Sequence, residues 1–416
     1  MIDNEIKILE LFGGIGACTK AFERLGIPHK VVDYVELDDA AVSSYNAIHQ
    51  TDFKPQDITK WDKDLEVDFI MHGSPCTDFS IAGTQLGGDE GSGTRSSLMY
   101  ETLRIVDKLR PKYVLWENVK NLLSDKHVHN YDNYVNKMQQ MGYSSFAKVL
   151  NARDYDIPQN RERIFTLSVL GDSDFQFPVG HKLDIKVQNL LEHDVPEKYY
   201  LSSKQISGMR SYMTDIINSN TIKYKNNLVE LPCIVASRGR DLMNPSLRES
   251  TNNYMQTIEI NIGGVSNTLT TFQKDNYVME TKKTKLCNDL VASQIVTGGE
   301  IINHSYTSSK QRPYLSDFIE STDGVVPTLT TRPDIMGYVE QLPDGLRIRK
   351  LTPLECWRLM GFDDEDFYKA AKGKTDAQLY KQAGNSIVVN VLEAILRMLF
   401  HMERDYEKVP RYKSLW

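Results

Sequence analysis

The sequence has few cysteines, no long hydrophobic run and no excess of positive charge. Its five cysteines among 416 residues are widely spaced and never form a Cys-x-x-Cys pair, which argues against a disulfide framework or a zinc site. Every apolar run is shorter than the roughly 20 residues that a membrane helix needs. Residues 1–5 lack the basic and apolar regions of a secretory signal, so we expect a cytoplasmic protein without a membrane partner.

The composition is that of a globular protein with room for two domains. The chain is 40% hydrophobic and 25% charged, and its formal net charge is -7. An acidic chain does not coat a polyanion indiscriminately, although a basic cleft can lie within it. A nucleic acid therefore remains compatible with the composition, provided that binding is local.

Strand-like and helix-like segments alternate through the first part of the chain. This alternation predicts an α/β fold with a mostly parallel sheet and helices on both faces. The predicted strands are Lys7–Phe12, Lys30–Val35, a segment ending at Asp57-Ile58, Val67–Met71 and Pro111–Trp116, and the predicted helices are Ala17–Leu25 and Ser97–Leu109.

A glycine-rich turn, 13–16, lies between the first predicted strand and the first predicted helix. Such a turn lets a ligand approach the backbone amides at a helix start. Glu36 ends the second strand about 20 residues later, where a carboxylate can accept both hydroxyls of a ribose. The pair indicates a cofactor that contains a nucleoside, and Asp57 could accept from its adenine amino group. A plain surface carboxylate at a helix start is the alternative for Glu36.

Cys76 lies in a loop, 73–80, that follows the strand Val67–Met71. Pro75 fixes the backbone directly before it, so the thiol is presented at a strand end. A free thiol has a pKa of about 8.5, and its small thiolate fraction is strongly nucleophilic. An isolated Pro-Cys pair more often marks a packed loop cysteine, so the interpretation as a nucleophile depends on the neighbouring residues.

Those neighbours share one edge of the predicted sheet. In open α/β sheets, ligands bind beyond the carboxyl ends of the strands. The glycine turn, Glu36, Asp57, Cys76 and Glu117 are all predicted at those ends. Unrelated surface residues would not be expected to share one rim, so the sequence indicates an active site there.

A pair of arginines, Arg161 and Arg163, enters a later predicted strand. The period of a strand places both on one face, where two guanidinium groups suit a phosphate or a polar base edge. A solvated charge pair on an edge strand is the alternative.

The alternation fades after about residue 180, and short strand-like runs follow. Residues 264–271 are echoed at 324–331 by a second Thr-Leu-Thr-Thr segment, and each copy precedes a Tyr-Val pair. Two related β-rich lobes and chance reuse of threonine-rich strand sequence explain this echo equally well.

Two helices are predicted near the C-terminus. Thr352 caps the first, with Pro353 at its first position and Glu355 at its third, and Gly361 ends it. Cys356 in this helix is expected to be only packed. Residues 382–386 are predicted to cap the second, an apolar helix through about Met398.

These motifs together resemble the DNA (cytosine-5) methyltransferases of bacteria and phages. Each motif is weak alone, but their order over residues 5–170 and 346–400 is specific to that family. The motifs are Phe12-Gly13-Gly14-Ile15-Gly16, Glu36, Asp57-Ile58, Gly73-Ser74-Pro75-Cys76, Leu98, Glu117-Asn118-Val119, Gln159-Asn160-Arg161-Glu162-Arg163, residues 349–362, and Gly384-Asn385-Ser386.

The resemblance implies a Rossmann-like methyltransferase fold that uses S-adenosylmethionine, with a smaller β-rich target recognition domain. It implies a catalytic domain at 1–180 completed by 385–416, and a recognition domain at 181–384 that includes the segment 346–362. Cys76 would be the nucleophile and Glu117 the acid at the ring, with Arg161 and Arg163 as its assistants. The implied cofactor residues are Phe12, Gly14, Ile15, Gly16, Glu36, Leu37, Asp57, Ile58, Pro75, Leu98 and Asn385.

The implied reaction moves a methyl group to carbon 5 of a flipped cytosine, through a covalent Cys76 adduct, in a specific sequence of duplex DNA. The implied protein is a monomer without a metal, and a cognate restriction endonuclease is a further partner to consider. Thr77 stands where many members have Gln, and Leu37 where many have Trp, which affects details of the base and adenine contacts. Candidates for DNA contact are Ser80, Arg238, Arg240, Lys274 and Arg332.

Three alternatives remain open from the sequence. A tRNA cytosine methyltransferase would keep the same catalytic residues, although the long 181–345 insert favours DNA. A catalytically silent DNA-binding member would be expected to have lost the thiol or the cofactor residues. A nicotinamide-dependent oxidoreductase would share the glycine turn and Glu36.

Overall fold

The structure is a computed structural model. It describes residues 4–75, 79, 87–202, 210–211, 213–218, 221–224, 227–241, 254–261, 264–269, 276–281 and 346–402. Five of the residues singled out in the sequence lie outside these ranges: Cys76, Thr77, Ser80, Lys274 and Arg332.

A six-stranded sheet forms the centre of the described structure. The strands of the first half are β1 Ile6–Leu11, β2 His29–Val35, β3 Phe69–His72, β4 Tyr113–Val119, β5 Tyr143–Asn151, β6 Gln159–Asn160 and β7 Glu162–Leu170. The sheet has the order β2-β1-β3-β4-β7-β5, with parallel pairing from β2 to β4 and antiparallel pairing of β7 with both β4 and β5. The predicted mostly parallel sheet is confirmed.

Helices cover both faces of this sheet. They are α1 Ala17–Leu25, α2 Asp39–His49, α3 Met99–Leu109 and α4 Val128–Gln140. Side chains alternate across each strand, so Leu115 and Trp116 of β4 lie in two different hydrophobic cores. Phe22 of α1 packs in the first core, and Tyr134 of α4 packs in the second. The carboxyl ends of β1 to β4 therefore meet at one edge, between two helical layers.

The second half is rich in strands where it is described. These strands are β8 Arg210–Ser211, β9 Met213–Asn218, β10 Thr221–Tyr224, β11 Asn227–Glu230, β12 Cys233–Asp241, β13 Tyr254–Ile260, β14 Ser266–Asn267, β15 Tyr277–Thr281 and β16 Leu346–Lys350. They form a three-stranded sheet, β11-β10-β9, and a five-stranded sheet, β16-β15-β12-β13-β8, while β14 pairs with β6. The first copy of the sequence echo thus includes β14, and the second copy lies outside the described residues.

The five-stranded sheet has apolar contacts on both faces. Ile234 of β12 joins the first core of the central sheet, whereas its neighbours Cys233 and Val235 pack with Met279 and Ile348 in a smaller core. One face of this five-stranded sheet is therefore attached to the rest of the molecule by hydrophobic packing.

Four helices complete the described chain: α5 Pro353–Arg358, α6 Asp364–Ala370, α7 Asp376–Asn385 and α8 Val389–Leu399. The predicted cap of α5 is confirmed, because the Thr352 hydroxyl accepts from the Glu355 amide at 3.2 Å and the Glu355 carboxylate accepts from the Thr352 amide at 2.8 Å. Among the described residues, no helix combines the length and apolar composition that crossing a membrane requires.

The prediction that residues 382–386 cap the last helix is wrong. A second capping box, formed by Thr375 and Gln378, starts α7 upstream, and this helix runs on through Asn385. The apolar helix α8 begins only at Val389, so the Gly-Asn-Ser motif lies between two helices and begins neither of them.

Helices α6 and α7 pack on the first half of the chain. Asp366 of α6 lies 2.9 Å from the Lys20 ammonium of α1, and Asp363 directly before α6 lies 2.7 Å from the Arg24 guanidinium. The Gln382 amide of α7 donates to the Ala40 carbonyl of α2 at 2.9 Å. In contrast, β16 pairs with β15 in the five-stranded sheet. The segment 346–384 is therefore divided between the two parts.

We expect Trp357→Ala to lower the free energy of unfolding by about 3–5 kcal/mol, because this α5 side chain is fully buried in the first core. Tyr368→Ala on α6 is the control, since Tyr368 is 59% exposed and a surface change is expected to stay within about 0.5 kcal/mol. Urea unfolding followed by circular dichroism measures both. Equal effects of the two variants would contradict the shared core.

Candidate active site

The glycine turn after β1 closes against the end of β2. The Phe12 amide donates to the Val35 carbonyl at 2.7 Å, and the Gly14 amide donates to the Glu36 carboxylate at 3.2 Å. Gly16 has a φ of 81°, and a Cβ there would lie 2.3 Å from His49 Nε2, so only glycine fits. A Cβ on Gly14 would meet nothing within 4 Å, which leaves open space above the turn for a ligand.

Glu36 is oriented by the backbone around it. Its Oε1 atom accepts from the amides of Leu37 at 2.8 Å and Asp38 at 2.9 Å, and its Oε2 atom accepts from Gly14. A carboxylate has about four acceptor positions, so capacity remains for a hydroxyl group. The Leu37 side chain beside it is 68% exposed and offers apolar surface.

Asp57 lies at the same edge, at the end of a loop. The predicted strand that ends there is wrong, because residues 51–57 form no strand. The Gln56 amide donates to the Glu36 carbonyl at 2.8 Å, which holds this loop beside β2. Hydrogen bonds from the Thr59 hydroxyl and amide lower the pKa of Asp57, so the carboxylate is ionised and can accept.

The other predicted cofactor residues differ in exposure. Ile15 and Ile58 are buried in the two cores, so their side chains serve packing. Phe12 and Leu98 are half-buried, and Asn385 is exposed at the end of α7. Exposed or half-buried side chains remain available to a ligand, whereas the two isoleucines could contribute through their backbone.

Ser74 anchors the loop that leads from β3 toward Cys76. Its hydroxyl accepts from Trp116 Nε1 at 3.0 Å, and its carbonyl accepts from Asn118 Nδ2 at 3.3 Å. All three side chains are buried. Both donors come from β4 and flank Glu117, so the loop start and the strand that carries the carboxyl group are held in a defined relation.

Glu117 lies inside β4, which continues through Val119, and its carboxyl group is nearly buried. Burial raises its pKa, and the guanidinium groups of Arg163 and then Arg161 oppose this rise without cancelling it. Arg163 Nε lies 3.1 Å from Glu117 Oε1. A Cβ on Gly73 would lie 3.8 Å from Glu117 Oε2, so the loop after β3 passes beside the carboxyl group.

The guanidinium groups of Arg161 and Arg163 both oppose the rise in the pKa of Glu117, but they make different close contacts. Arg161 precedes β7, and its guanidinium donates to the carbonyls of Leu269 at 2.8 Å, Ser386 at 2.8 Å and Gly384 at 3.2 Å. Arg163 makes an ion pair with Glu117. The two arginines therefore suit different tasks.

The described cysteines are unsuited to nucleophilic chemistry. Cys18, Cys233 and Cys356 are all buried, and burial raises the pKa of each thiol, that of Cys233 to about 12. The prediction that Cys356 is only packed is confirmed. A thiolate is the reactive form, so none of these three is a candidate.

Three buried polar residues, Ser74, Asn118 and Gln159, hold the site together although no motif predicted a role for them. Gln159 is fully buried, and its side-chain amide donates to the Leu359 carbonyl at 2.8 Å. The sequence did contain a signal for each of them, namely a polar residue at a position predicted to be buried. Buried polar side chains usually have hydrogen-bond partners. Their partners are distant in sequence, so the signal could not name them.

The candidates for DNA contact are placed only in part. Arg238 and Arg240 lie in β12, where they pair with Thr257 and Met255 of β13. Ser80, Lys274 and Arg332 lie outside the described residues. Within the described residues, no cluster of metal-ligating side chains is found.

Comparison with known proteins identifies the family. The profile described as C-5 cytosine-specific DNA methylase matches residues 6–401. The chain is 30% identical to the orphan methyltransferase M.SPRI of Bacillus phage SPR over 95% of this chain and 98% of that protein. It is 29% identical to a type II methyltransferase of Lactococcus lactis subsp. cremoris, over 95% of this chain and 99% of the relative.

Solved structures show the same fold. The Entamoeba histolytica methyltransferase EhMeth aligns with a TM-score of 0.58 and 15% identity over 96% of this chain and 99% of its own. At that identity the likeness concerns the fold alone, which is that of a methyltransferase with a largely parallel central sheet. The chain belongs to the C-5 cytosine-specific DNA methylase family and is a DNA (cytosine-5) methyltransferase.

Proposed function

We propose that Cys76 attacks the cytosine ring while Glu117 and Arg163 stabilise the charge that develops on it. The observation that carries this proposal is the buried Glu117 carboxyl group, whose pKa is raised and whose Oε1 atom lies 3.1 Å from Arg163 Nε. The loop from Gly73 passes beside that carboxyl group and leads to Cys76 three residues later.

The chemistry explains why these residue types are needed. Carbon 5 of cytosine is too weak a nucleophile to attack a methyl donor, and addition of a thiolate at carbon 6 makes the ring electron-rich. The resulting negative charge falls on nitrogen 3 and the carbonyl oxygen. A protonated Glu117 can donate to nitrogen 3, and Arg163 can donate to the oxygen, in a site that excludes much of the water.

Arg163 is a better candidate for the ring than Arg161. The terminal nitrogens of Arg161 donate to three backbone carbonyls, whereas Arg163 lies against Glu117. We expect the cytosine ring to form hydrogen bonds with Glu117 and Arg163. Arg161 would then act on the site through the segments that it holds.

S-adenosylmethionine, when bound, supplies an electrophilic methyl group on its sulfonium. We propose that Glu36 holds its ribose, that Asp57 accepts from its adenine amino group, and that Leu37 and Phe12 cover the nucleoside. The open space above Gly14 and the remaining acceptor capacity of Glu36 support this assignment.

The substrate is proposed to be a short fixed sequence in duplex DNA. Its target cytosine must leave the base stack, at a cost of a few kcal/mol that contacts from the recognition region would offset. The relatives include an orphan enzyme and a type II enzyme by name, so a restriction endonuclease is a candidate partner. We propose a monomer that works in the cytoplasm of a bacterial or phage-infected cell.

We also propose a division of the chain. The recognition region would run from about 181 to 350, and the catalytic unit would comprise residues 1–180 and the chain from about 351 onward. Two observations support this boundary: β16 pairs with β15, and α6 and α7 contact α1 and α2. The expectation that places residues up to 384 in the recognition domain would then be too long at its C-terminal end.

Cells that express the protein should carry 5-methylcytosine in one short motif, and Cys76→Ala should abolish it. Bisulfite sequencing of plasmid DNA from both strains gives the result directly. Cys356→Ala is the matched control and should leave the pattern intact, because that thiol is buried. Identical unmethylated patterns for wild type and Cys76→Ala would contradict the proposal.

The same preparation distinguishes DNA from RNA. Incorporation of labelled methyl groups into duplex DNA should exceed incorporation into tRNA. Equal or greater labelling of tRNA would favour the RNA-modifying alternative.

Glu117→Gln should lower kcat/KM by a factor of about 10² to 10⁴, because the amide keeps a donor but supplies no proton. Since the active form is protonated and burial raises the pKa, wild-type activity should fall as the pH rises through that raised pKa. This alkaline decrease should disappear in the variant. Glu162→Gln, at an exposed neighbour of Arg163, is the control and should keep the wild-type profile. An unchanged alkaline decrease in Glu117→Gln would assign it to another group.

Ser74→Ala should lower kcat about tenfold, which corresponds to about 1.4 kcal/mol, with little change in KM. The Trp116 and Asn118 donors lose the hydroxyl, so the start of the Cys76 loop is less well positioned. Ser168→Ala removes a buried serine that bonds to Ser145 in the same sheet, and it should cost stability without lowering kcat. Steady-state kinetics and thermal unfolding separate these effects, and equal kcat losses in both variants would contradict the positioning role.

A further inference from the structure

A short strand of the recognition region docks directly on the catalytic segment that carries the arginines. Strand β14 pairs in parallel with β6, so that Ser266 lies opposite Gln159 and Asn267 opposite Asn160. The Ser266 amide donates to the Pro158 carbonyl at 2.7 Å. The Thr268 hydroxyl donates to the Asn160 carbonyl at 2.7 Å. Residues 266–269, named here the docking segment, are thus held by backbone groups of the catalytic part.

Gln159 also holds the docking segment in place through its side-chain amide. Its side chain is fully buried, and its Oε1 atom accepts from the Leu269 amide at 3.0 Å. Its Nε2 atom donates to the Leu359 carbonyl directly after α5 at 2.8 Å. One amide therefore connects the docking segment with the C-terminal helices.

Arg161 connects the same docking segment with the loop around Asn385. Its Nη1 atom donates to the Leu269 carbonyl at 2.8 Å, and its Nη2 atom donates to the carbonyls of Ser386 at 2.8 Å and Gly384 at 3.2 Å. Those last two residues flank Asn385 on either side. A guanidinium is planar and presents its donors in a fixed fork, so the three carbonyls are held in one spatial relation.

Burial makes this connection sensitive to movement. Arg161 is 4% exposed, so its charge relies on protein carbonyls in place of water. If the docking segment shifts, the buried Arg161 guanidinium loses its hydrogen bond to the Leu269 carbonyl. If the Asn385 loop shifts, it loses its hydrogen bonds to the carbonyls of Gly384 and Ser386. Neither segment can therefore move alone without a penalty at Arg161.

We propose that Arg161 is a positioning residue that couples DNA binding by the recognition region to S-adenosylmethionine binding at the Asn385 loop. A ligand that orders either the docking segment or the Asn385 loop also orders the guanidinium of Arg161, because both segments are bonded to it. The second ligand then binds to a site that is already ordered, so each ligand tightens the other by the same factor. The inference rests on the proposed function, in which Asn385 lines the cofactor pocket and the recognition region holds DNA.

The coupling can be measured as binding, without catalysis. The probes are S-adenosylhomocysteine and a duplex that carries the motif found by bisulfite sequencing. Calorimetry gives the affinity of the wild-type protein for S-adenosylhomocysteine with and without saturating duplex. We expect the duplex to tighten this affinity by at least about fivefold.

Arg161→Lys should reduce that factor to less than twofold, because a lysine ammonium is a point charge that cannot span three carbonyls in a fixed geometry. Arg163→Lys is the matched control two residues away. It should lower turnover, since Arg163 faces Glu117, yet keep the coupling factor. Thr268→Val loosens the docking segment from its other side and should also lower the factor, without disturbing a buried charge.

The outcomes separate the inference from the proposed function. A wild-type protein that binds neither probe would overturn the proposed function. Wild-type binding of both probes without mutual tightening would overturn the inference alone, as would full coupling in Arg161→Lys. If Arg161→Lys fails to fold in a thermal unfolding assay, Thr268→Val decides: a lowered factor supports the inference, and an unchanged factor overturns it.

Discussion

The burial of one carboxyl group beside one guanidinium is the constraint on which the site depends. Burial disfavours the charged form of Glu117, Arg163 favours it, and the balance leaves the pKa raised. That balance survives only if the distance of 3.1 Å between the two groups is maintained. Strand β4 maintains it, because hydrogen bonds to β3 on one side and β7 on the other fix its position.

Alternation of side chains along β4 links this pair to the nucleophile loop. Trp116 and Asn118 flank Glu117 in sequence and both donate to Ser74, two residues before the proposed nucleophile. One strand thus positions the acid through its own backbone and the loop start through its two neighbours. Rigid elements of this kind place functional groups more accurately than loops do.

The end of the chain completes the same unit. Helix α8 packs on α1 in the first core, and the ion pairs of Lys20 and Arg24 attach α6 to α1. The Gly-Asn-Ser motif before α8 is brought to the catalytic edge, where Arg161 holds the carbonyls on both sides of Asn385. Leu269 of the docking segment meets this edge through its carbonyl, which accepts from Arg161. The loop around Asn385 and the docking segment are therefore both bonded to the buried guanidinium of Arg161.

Much of the local structure was predictable from sequence, because its causes are local. The helix Ala17–Leu25 was predicted with its bounds, since its apolar spacing ends at a glycine with a φ of 63°. The cap at Thr352 followed from residues three apart. The common edge of the strands followed from their alternation with helices, which places Glu36 and the Cys76 loop together. Local patterns gave a wrong prediction at residues 382–386. The Gly-Asn-Ser motif there was interpreted as a helix start, but the capping box of Thr375 and Gln378 starts a helix that runs through Asn385.

Tertiary structure decided which groups these elements bring into contact. Sequence alternation predicted one face for Arg161 and Arg163, but it could not predict their contacts. Arg161 donates to carbonyls 108 and 225 residues away, and Arg163 forms an ion pair with Glu117. The sequence by itself determined the chemistry of the family, the order of the elements and the rim that carries them. Only the folded chain decided which carbonyls accept hydrogen bonds from the buried Arg161 and which hydroxyl accepts one from Trp116. Those choices depend on distances between segments remote in sequence, and no local period encodes such distances.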